Sequence, residues 1–283
     1  MNKKRWLEVA IVATFAAYLL VHGASLAFVR ELPGLDVIAL VFTVFGLLHA
    51  VYMLGWRRAA AFFGICVVLS WTAEKVSLLT GIAGEYYYTD VLGPMLGDVP
   101  YVIPLTWFLM MYPSYVIANL AVSRRATFAR CSVPFTIWLS ALTAVVMTAW
   151  DLALDPYMTQ VVGAWVWVGC ESCPYFGVPY SNYYSWVVTT FLIVLVYRMV
   201  ERRLPLSPVG LEGSLWVAAL PVGIYAMNTI SSAVIGSPVE TRLIAAFAMG
   251  VPVLVAATRI VQGRPPASGP LVASVASAPG GVS

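Results

Sequence analysis

Two aspartates, Asp151 and Asp155, have the spacing that most directly indicates chemistry in this chain of 283 residues. Residues four apart share one face of a helix, so both carboxyls lie together if the helix continues through them. Close carboxyls repel one another and burial disfavours their charged forms, so one is expected to keep its proton near neutral pH. Such a pair can act as a general acid and a general base. In the alternative interpretation Asp155 caps loop backbone before Pro156, while Asp151 pairs with another helix.

Glu74 is a third candidate, because it lies inside an apolar run about six residues before that run ends near Thr80. At 1.5 Å per residue this depth is roughly 9 Å. An ionisable group within a span costs roughly 2.5–3.5 kcal/mol, which makes each one a functional candidate. Lys75 follows Glu74, but adjacent helix residues do not face each other. We therefore expect Glu74 either to line an internal cavity or to form a structural ion pair with another helix.

The elements that position these carboxyls must be membrane-spanning helices. Hydrophobic residues make up 61% of the chain and charged residues only 10%, whereas soluble domains have about 45–50% and about 25%. The composition therefore excludes a soluble globule, a disordered chain, a collagen and a disulfide-stapled scaffold. The net charge of +3 is not typical of nucleic-acid binding, so no nucleic-acid partner is expected.

Eight apolar runs are long enough to cross a bilayer, which takes about 20 residues. The predicted fold class is all-α, a polytopic integral membrane helix bundle of about eight transmembrane helices. We expect a single transmembrane domain over residues 1–262 and a disordered cytoplasmic tail over residues 263–283, which are rich in Pro, Ala, Ser and Gly. The runs lie at residues 7–29, 36–55, 59–80, 101–122, 132–153, 183–201, 214–235 and 241–261.

The lysines and arginines predict the orientation of the bundle. With eight spans nearly all of them fall on one side, and the positive-inside rule places that side and both termini in the cytoplasm. No Lys or Arg occurs from Val76 to Ser123 or from Cys131 to Tyr197. We expect a multi-pass protein of the inner (plasma) membrane with its carboxyls near the outer face. The first span can alternatively be read as a cleaved signal peptide, because it has a basic start and small residues at 23–27.

Residues suited to metal or redox chemistry are few. His22 and His49 are isolated within the first two spans, so we expect interhelical hydrogen bonds and no metal; a metal role, the alternative, needs more converging ligands. Cys170 and Cys173 form a Cys-x-x-Cys motif in an outer loop, where a small disulfide is expected. A redox role is the alternative, although the surrounding sequence lacks a thioredoxin-like context.

Two loops combine many aromatic residues with Gly and Pro. The first contains Tyr86-Tyr87-Tyr88, and the second contains Trp165-Val166-Trp167 and continues to Trp186. An interfacial aromatic belt accounts for part of this composition. The Gly and Pro positions, with Asn and Asp between them, indicate loops folded over the ends of the spans. Such loops form the apolar groove with a few placed polar groups that is typical of ligand sites.

On these residues the chain resembles the membrane carotenoid hydratases of the CruF type, the γ-carotene 1'-hydratase and bisanhydrobacterioruberin hydratase family. The resemblance covers about residues 65–190 in two ordered blocks. There are two departures from the family pattern: residues 170–173 look like an insertion, and Ser185 stands in place of Gly. The first block contains Glu74, Gly81, Gly84, Tyr86, Tyr88, Gly93, Val99, Pro100 and Trp107, and the second contains Trp150, Asp151, Asp155, Pro156, Trp165, Trp167, Tyr175, Phe176, Gly177, Val178, Pro179, Asn182 and Trp186.

The resemblance implies a lyase that adds water to the terminal C1=C2 double bond of an acyclic (psi) carotenoid end group, giving a tertiary alcohol. The implied substrate is lycopene, γ-carotene or a C50 precursor dissolved in membrane lipid, and neither a cofactor nor a metal is needed. Downstream carotenoid-modifying enzymes, such as a glycosyltransferase or an elongase, are candidate partners.

The hypothesis for the site follows from this reaction. Asp151 or Glu74 protonates C2, and Asp155 binds or deprotonates the water. Asn182 and Tyr88 orient that water, and aromatic faces stabilise the cation formed at C1. The expected substrate-binding residues are Tyr86, Tyr88, Trp107, Trp165, Trp167, Asn182 and Trp186.

Three other functions stay open on the sequence. A carotenoid end-group cyclase or isomerase begins with the same protonation. A small-solute transporter would use Glu74 and Asp151 together with the prolines inside spans, although the polar groups gather near one face and no matching half-chains occur. A non-catalytic carotenoid-binding membrane protein would hold the pigment without changing it.

Overall fold

The structure, a computed structural model, describes residues 3–27, 35–128, 131–170, 172–205 and 215–263. Within these ranges eight helical segments are long and apolar enough to cross a membrane, which confirms the predicted all-α multi-pass bundle. The predicted tail falls outside the described residues from position 264 onward. The elements are α1 (Lys3–Ala27), α2 (Leu35–Leu54), α3 (Trp56–Thr80), β1 (Tyr86–Tyr88), β2 (Met95–Leu96), β3 (Val99–Pro100), α4 (Val102–Ser123), α5 (Val133–Tyr157), β4 (Trp165–Trp167), α6 (Tyr180–Glu201), α7 (Leu215–Ile235), α8 (Glu240–Ala248) and α9 (Gly250–Val261).

The end of α5 differs from the boundary expected near residue 153. The helix continues through Asp155 and Pro156 to Tyr157. A proline inside a helix leaves the carbonyl four residues earlier without its N–H donor. Here that carbonyl belongs to Leu152, and it accepts a hydrogen bond from the Tyr175 hydroxyl at 2.9 Å. The helix therefore extends past the apolar run because a loop side chain supplies the missing donor.

Helix α4 is the centre of the bundle. It contacts α2, α3, α5, α7 and α9, and almost all of its residues are buried. Phe62 of α3 stacks on Tyr197 of α6 with ring centroids 4.0 Å apart. The edges of Phe108 and Tyr115 in α4 meet the same phenylalanine. Interlocking rings of this kind fix the spacing of the three helices.

A buried ion pair lies at the end of the bundle away from the aromatic loops. Arg58 Nη1 is 3.3 Å from Glu201 Oε1, and the Tyr115 hydroxyl donates to the same oxygen at 2.6 Å. Arg198 donates to Asn119 Oδ1 at 2.8 Å. Both arginines belong to the basic clusters that predict the cytoplasmic side, yet they are only 1% and 2% exposed. They hold helices together and do not face water.

The two histidines form interhelical hydrogen bonds, which confirms that expectation. His22 Nε2 lies 2.8 Å from the Ser231 hydroxyl. His49 Nδ1 lies 2.7 Å from the Tyr112 hydroxyl, and its Nε2 lies 2.8 Å from the Val217 carbonyl. In the part of the chain that the structure describes, no group of three or more His, Cys, Asp or Glu side chains is placed to hold a metal ion.

The two aromatic loops pair through an antiparallel sheet of β1 and β4, which we call the aromatic sheet. Tyr86 lies opposite Trp167, and Tyr88 lies opposite Trp165. Side chains alternate between the faces of a strand, so these four rings share one face. The loop after β4 carries the expected disulfide between its two cysteines.

Gly84 lies two residues before β1 with φ at +110°, and a Cβ there would lie 2.7 Å from Cγ of Pro179 and 3.1 Å from the Trp167 ring. We expect Gly84→Ala to lower the free energy of unfolding by about 1–2 kcal/mol for the left-handed backbone and by a further ~1–3 kcal/mol for the clash. Gly93→Ala is the matched control, because Gly93 has φ at +77° and no atom within 4 Å of a built Cβ. Thermal unfolding in detergent should show a larger fall in Tm for Gly84→Ala; equal falls would contradict this close packing.

Candidate active site

A cavity of about 600 Å³ lies beneath the aromatic sheet, among the ends of the helices that carry the long loops. Its volume is within the range of small-molecule sites. Aliphatic and aromatic side chains such as Ile38, Phe42 and Leu109 make up most of the wall. Two carboxyl groups, those of Glu74 in α3 and Asp155 in α5, belong to the same wall. The cavity therefore combines an oily interior with two acidic side chains.

Glu74 is held by three hydrogen-bond donors. Its Oε2 accepts from the hydroxyls of Tyr86 at 2.6 Å and Tyr88 at 2.8 Å. Its Oε1 accepts from the Trp107 indole N–H at 2.9 Å. The described residues give Glu74 no cationic partner, since their ion pairs join other side chains. Within the described ranges Glu74 therefore forms no ion pair, and its carboxyl lines the cavity with three neutral donors.

The two tyrosines of the aromatic sheet donate hydrogen bonds to Glu74 over a wide range of pH. Burial raises the pKa of the Tyr86 and Tyr88 hydroxyls well above the ordinary tyrosine value, and the nearby Glu74 charge acts in the same direction. A raised pKa keeps a phenol protonated to higher pH, so these hydroxyls remain neutral at and above physiological pH. The hydrogen bonds that they donate to Glu74 are retained across that range.

Asp155 is held by the other strand of the aromatic sheet and by α6. Its Oδ1 accepts from the indole N–H groups of Trp165 at 2.9 Å and Trp167 at 3.2 Å. Its Oδ2 accepts from the Asn182 amide at 2.6 Å. The Asp155 side chain thus accepts from other side chains, and does not cap loop backbone as in the alternative interpretation of the sequence. The small sheet thus supplies two hydroxyl donors to one carboxyl and two indole donors to the other.

Asp151 lies behind Asp155 and outside the cavity wall. Its Oδ2 accepts from the Asn182 amide at 3.1 Å, so one amide bridges both aspartates. The residue is 1% exposed, and its Oδ1 has no hydrogen-bond partner among the described residues. The predicted sharing of one helix face is confirmed, but only the second aspartate of the pair reaches the cavity.

Stacked indoles form another part of the wall. Trp107 and Trp186 lie with ring centroids 4.5 Å apart and planes 20° from parallel. Trp107 also donates to Glu74, which fixes its ring beside that carboxyl. Aromatic faces attract a cation, typically by about 0.5–2 kcal/mol per contact. This wall can therefore stabilise positive charge that develops in the cavity.

Polar pairs from α1 and α7 contribute to a further part of the cavity wall. The Asn228 amide donates to the Tyr18 hydroxyl at 2.7 Å, and His22 and Ser231 form the pair described above. These residues were not among the site residues expected from the sequence. The sequence does contain a pattern that indicates them. Tyr18 and His22 are four residues apart in α1, and Asn228 and Ser231 are three apart in α7. The two polar residues of each apolar helix therefore share one face.

The structure brings together nearly all of the site residues that the sequence predicts. Asp151 is the exception, as it lies one layer behind the wall. The hydrogen bonds from the loop tryptophans to a carboxyl were not expected from the sequence. The predicted residues that line the cavity are Glu74, Asp155, Tyr86, Tyr88, Trp107, Trp165, Trp167, Asn182 and Trp186.

Comparisons with known proteins connect this site to a family. A sequence profile described as carotenoid biosynthesis protein matches residues 34–257. A bisanhydrobacterioruberin hydratase from Haloarcula japonica is 32% identical over 153 residues, which are 53% of this chain and 48% of that relative. The matched segment thus spans about half the length of the relative. No solved structure matches the chain. Because the profile covers well over half of the sequence, including both carboxyl sites and the aromatic sheet, the chain belongs to the carotenoid biosynthesis protein family.

Proposed function

We propose that this protein is a carotenoid hydratase, which adds water to the terminal C1=C2 double bond of an acyclic carotenoid end group. The observation that carries the proposal is one oily cavity with two donor-held carboxyls and a stacked indole wall. Family membership implies a carotenoid substrate. The name of the haloarchaeal relative supports addition of water as the reaction.

Asp155 is the proposed acid. Two buried carboxylates bound to one amide repel each other, and a single proton held by the pair removes that repulsion. Asp155 delivers this proton to C2, which forms a C2–H bond from the π electrons and leaves a tertiary cation at C1. The sequence-based hypothesis gave this role to Asp151 or Glu74. We assign it to Asp155 because an acid must reach the alkene and Asp151 does not line the cavity.

The indole wall and Glu74 then complete the reaction. Trp107 and Trp186 present aromatic faces to the cationic centre. A lone pair of water forms the C1–O bond, and Glu74 takes the proton that the bound oxygen loses. The product is a tertiary alcohol. The proton then passes from Glu74 back to the aspartate pair, so atoms and charge balance over one cycle.

We further propose that the cavity opens toward the outer half of the plasma membrane. Exposed basic residues support this orientation, because Arg57 and Arg203 lie at the end of the bundle opposite the aromatic sheet. A carotenoid dissolves in the bilayer, so it can reach this depth by lateral entry between helices. Both termini are then cytoplasmic.

Expression of the protein in a lycopene-producing host tests the proposed function. Mass spectrometry of the pigments should show a gain of one water for each end that reacts. The double variant Glu74→Gln/Asp155→Asn is the control and should leave the lycopene unchanged. A new pigment of unchanged mass would indicate a cyclase or isomerase instead. Retained but unaltered pigment would indicate a binding protein. Either result contradicts the hydratase assignment.

A further inference from the structure

Three buried polar atoms beside the aspartate pair have no hydrogen-bond partner among the described residues. They are Oδ1 of Asp151, the Tyr183 hydroxyl and the Thr148 hydroxyl. The three residues are 1%, 8% and 6% exposed. Buried polar atoms are nearly always hydrogen-bonded, so each exception needs an explanation. Half of the six such atoms in the described chain belong to Asp151 itself or to residues within a few positions of the pair and its bridging amide.

Helix periodicity and electrostatic contact place the residues of these atoms near the pair. Thr148 precedes Asp151 by three residues in α5, so the two side chains share a helix face. Tyr183 follows Asn182, whose amide bridges the carboxyls, and it interacts electrostatically with both aspartates. Helices α5 and α6 pack together along this face. None of Thr148, Asp151 and Tyr183 lines the cavity, so the three atoms lie behind its wall.

We propose that Asp151, Thr148 and Tyr183 form a binding site for one interior water molecule, which positions Asp151 within the aspartate pair. Buried waters typically make about three hydrogen bonds to groups that otherwise lack partners. A water here can donate to Asp151 Oδ1, accept from the Tyr183 hydroxyl and bond the Thr148 hydroxyl. All three atoms are then satisfied by one ligand.

This role deepens the proposed function and rests on it. A water that donates to Asp151 Oδ1 holds that carboxyl beside Asp155, so the pair keeps its one proton ready for transfer to C2. The water and Tyr183 transfer no proton themselves, so the proton balance of the cycle is unchanged. Tyr183 in turn packs against Tyr175, with ring centroids 4.9 Å apart.

Tyr183 is therefore a positioning residue, and its removal should change kcat without changing KM. We expect Tyr183→Phe to lower kcat for hydration about tenfold, which is about 1.36 kcal/mol and typical of one hydrogen bond. The KM for carotenoid should stay the same, because Tyr183 does not line the cavity. Tyr184→Phe is the matched control, since the adjacent tyrosine is 74% exposed. Its kcat should equal that of the parent.

Infrared difference spectra of the resting protein in ordinary and heavy-oxygen water give a second readout. The parent and Tyr184→Phe should show the O–H band of an interior water, and Tyr183→Phe and Thr148→Val should lose or shift it. If both variants keep the parental band and kcat, the proposal is overturned. Loss of the band with unchanged kcat would retain the water site and overturn its role in positioning Asp151. If the parent forms no hydrated carotenoid, the proposed function fails, and the band alone decides whether the water site exists.

Discussion

Replacing Asp155 with Asn should lower the rate of carotenoid hydration by about 10²–10⁴-fold, the usual contribution of a positioned general acid. The amide has nearly the same size, and its oxygen can still accept from Trp165 and Trp167, which donate to Oδ1 of the aspartate. It cannot release a proton to C2 at neutral pH. Pigment analysis of cells with equal amounts of membrane-inserted protein measures the effect.

Asp90→Asn is the control for this substitution, because Asp90 lies in a loop at the same end of the bundle and is exposed. The control should hydrate the substrate at the parental rate. Thermal unfolding of both variants shows whether the fold is intact. If Asp155→Asn folds and hydrates as fast as the control, Asp155 is not the acid.

Glu74→Gln should lower hydration by about 10²–10⁴-fold as well, but with a different chemical outcome. The acid is still present, so the C1 cation still forms. Without a base to take the proton of water, the cation loses a proton from carbon and returns to an alkene. In heavy water this cycle places deuterium in unreacted carotenoid. We expect deuterium exchange to continue in Glu74→Gln and to stop in Asp155→Asn.

The comparison of hydration with exchange separates the two carboxyl roles. Glu85→Gln is the matched control, since Glu85 is exposed next to the aromatic sheet; it should hydrate normally. Exchange that stops in Glu74→Gln and continues in Asp155→Asn would reverse the assignment of acid and base. Normal hydration in Glu74→Gln would remove Glu74 from the mechanism.

The helices of this fold could be predicted from sequence because a bilayer imposes length and hydropathy on every span. The shared face of Asp151 and Asp155 followed from helix periodicity in the same way. Which of the two side chains reaches the cavity did not follow from periodicity. Four residues of helix separate the two side chains by about 40° in direction and by roughly 6 Å along the axis. Only the packing of α5 against its neighbours decides which of them reaches the cavity.

The pairing of the two loops into the aromatic sheet was not predicted from the sequence, although its four rings were expected in the site. Alternation in Tyr86-Tyr87-Tyr88 and in Trp165-Val166-Trp167 is a strand signal with a period of two. Each strand is only three residues long, and their partners are more than 70 positions apart in the chain. The pairing and its register depend on where α3, α4 and α5 place the loop ends. A local pattern therefore indicated ligand-facing rings but not the carboxyls that they contact.

The central claim is that the cavity adds solvent water across an alkene, and isotope incorporation tests it most directly. Purified protein is given an acyclic carotenoid in heavy-oxygen water, and the product is analysed by mass spectrometry. We expect a tertiary alcohol whose oxygen carries the solvent label, formed by the parent and not by Asp155→Asn. An unlabelled alcohol, or an oxygen-free isomer as the sole product, would contradict it.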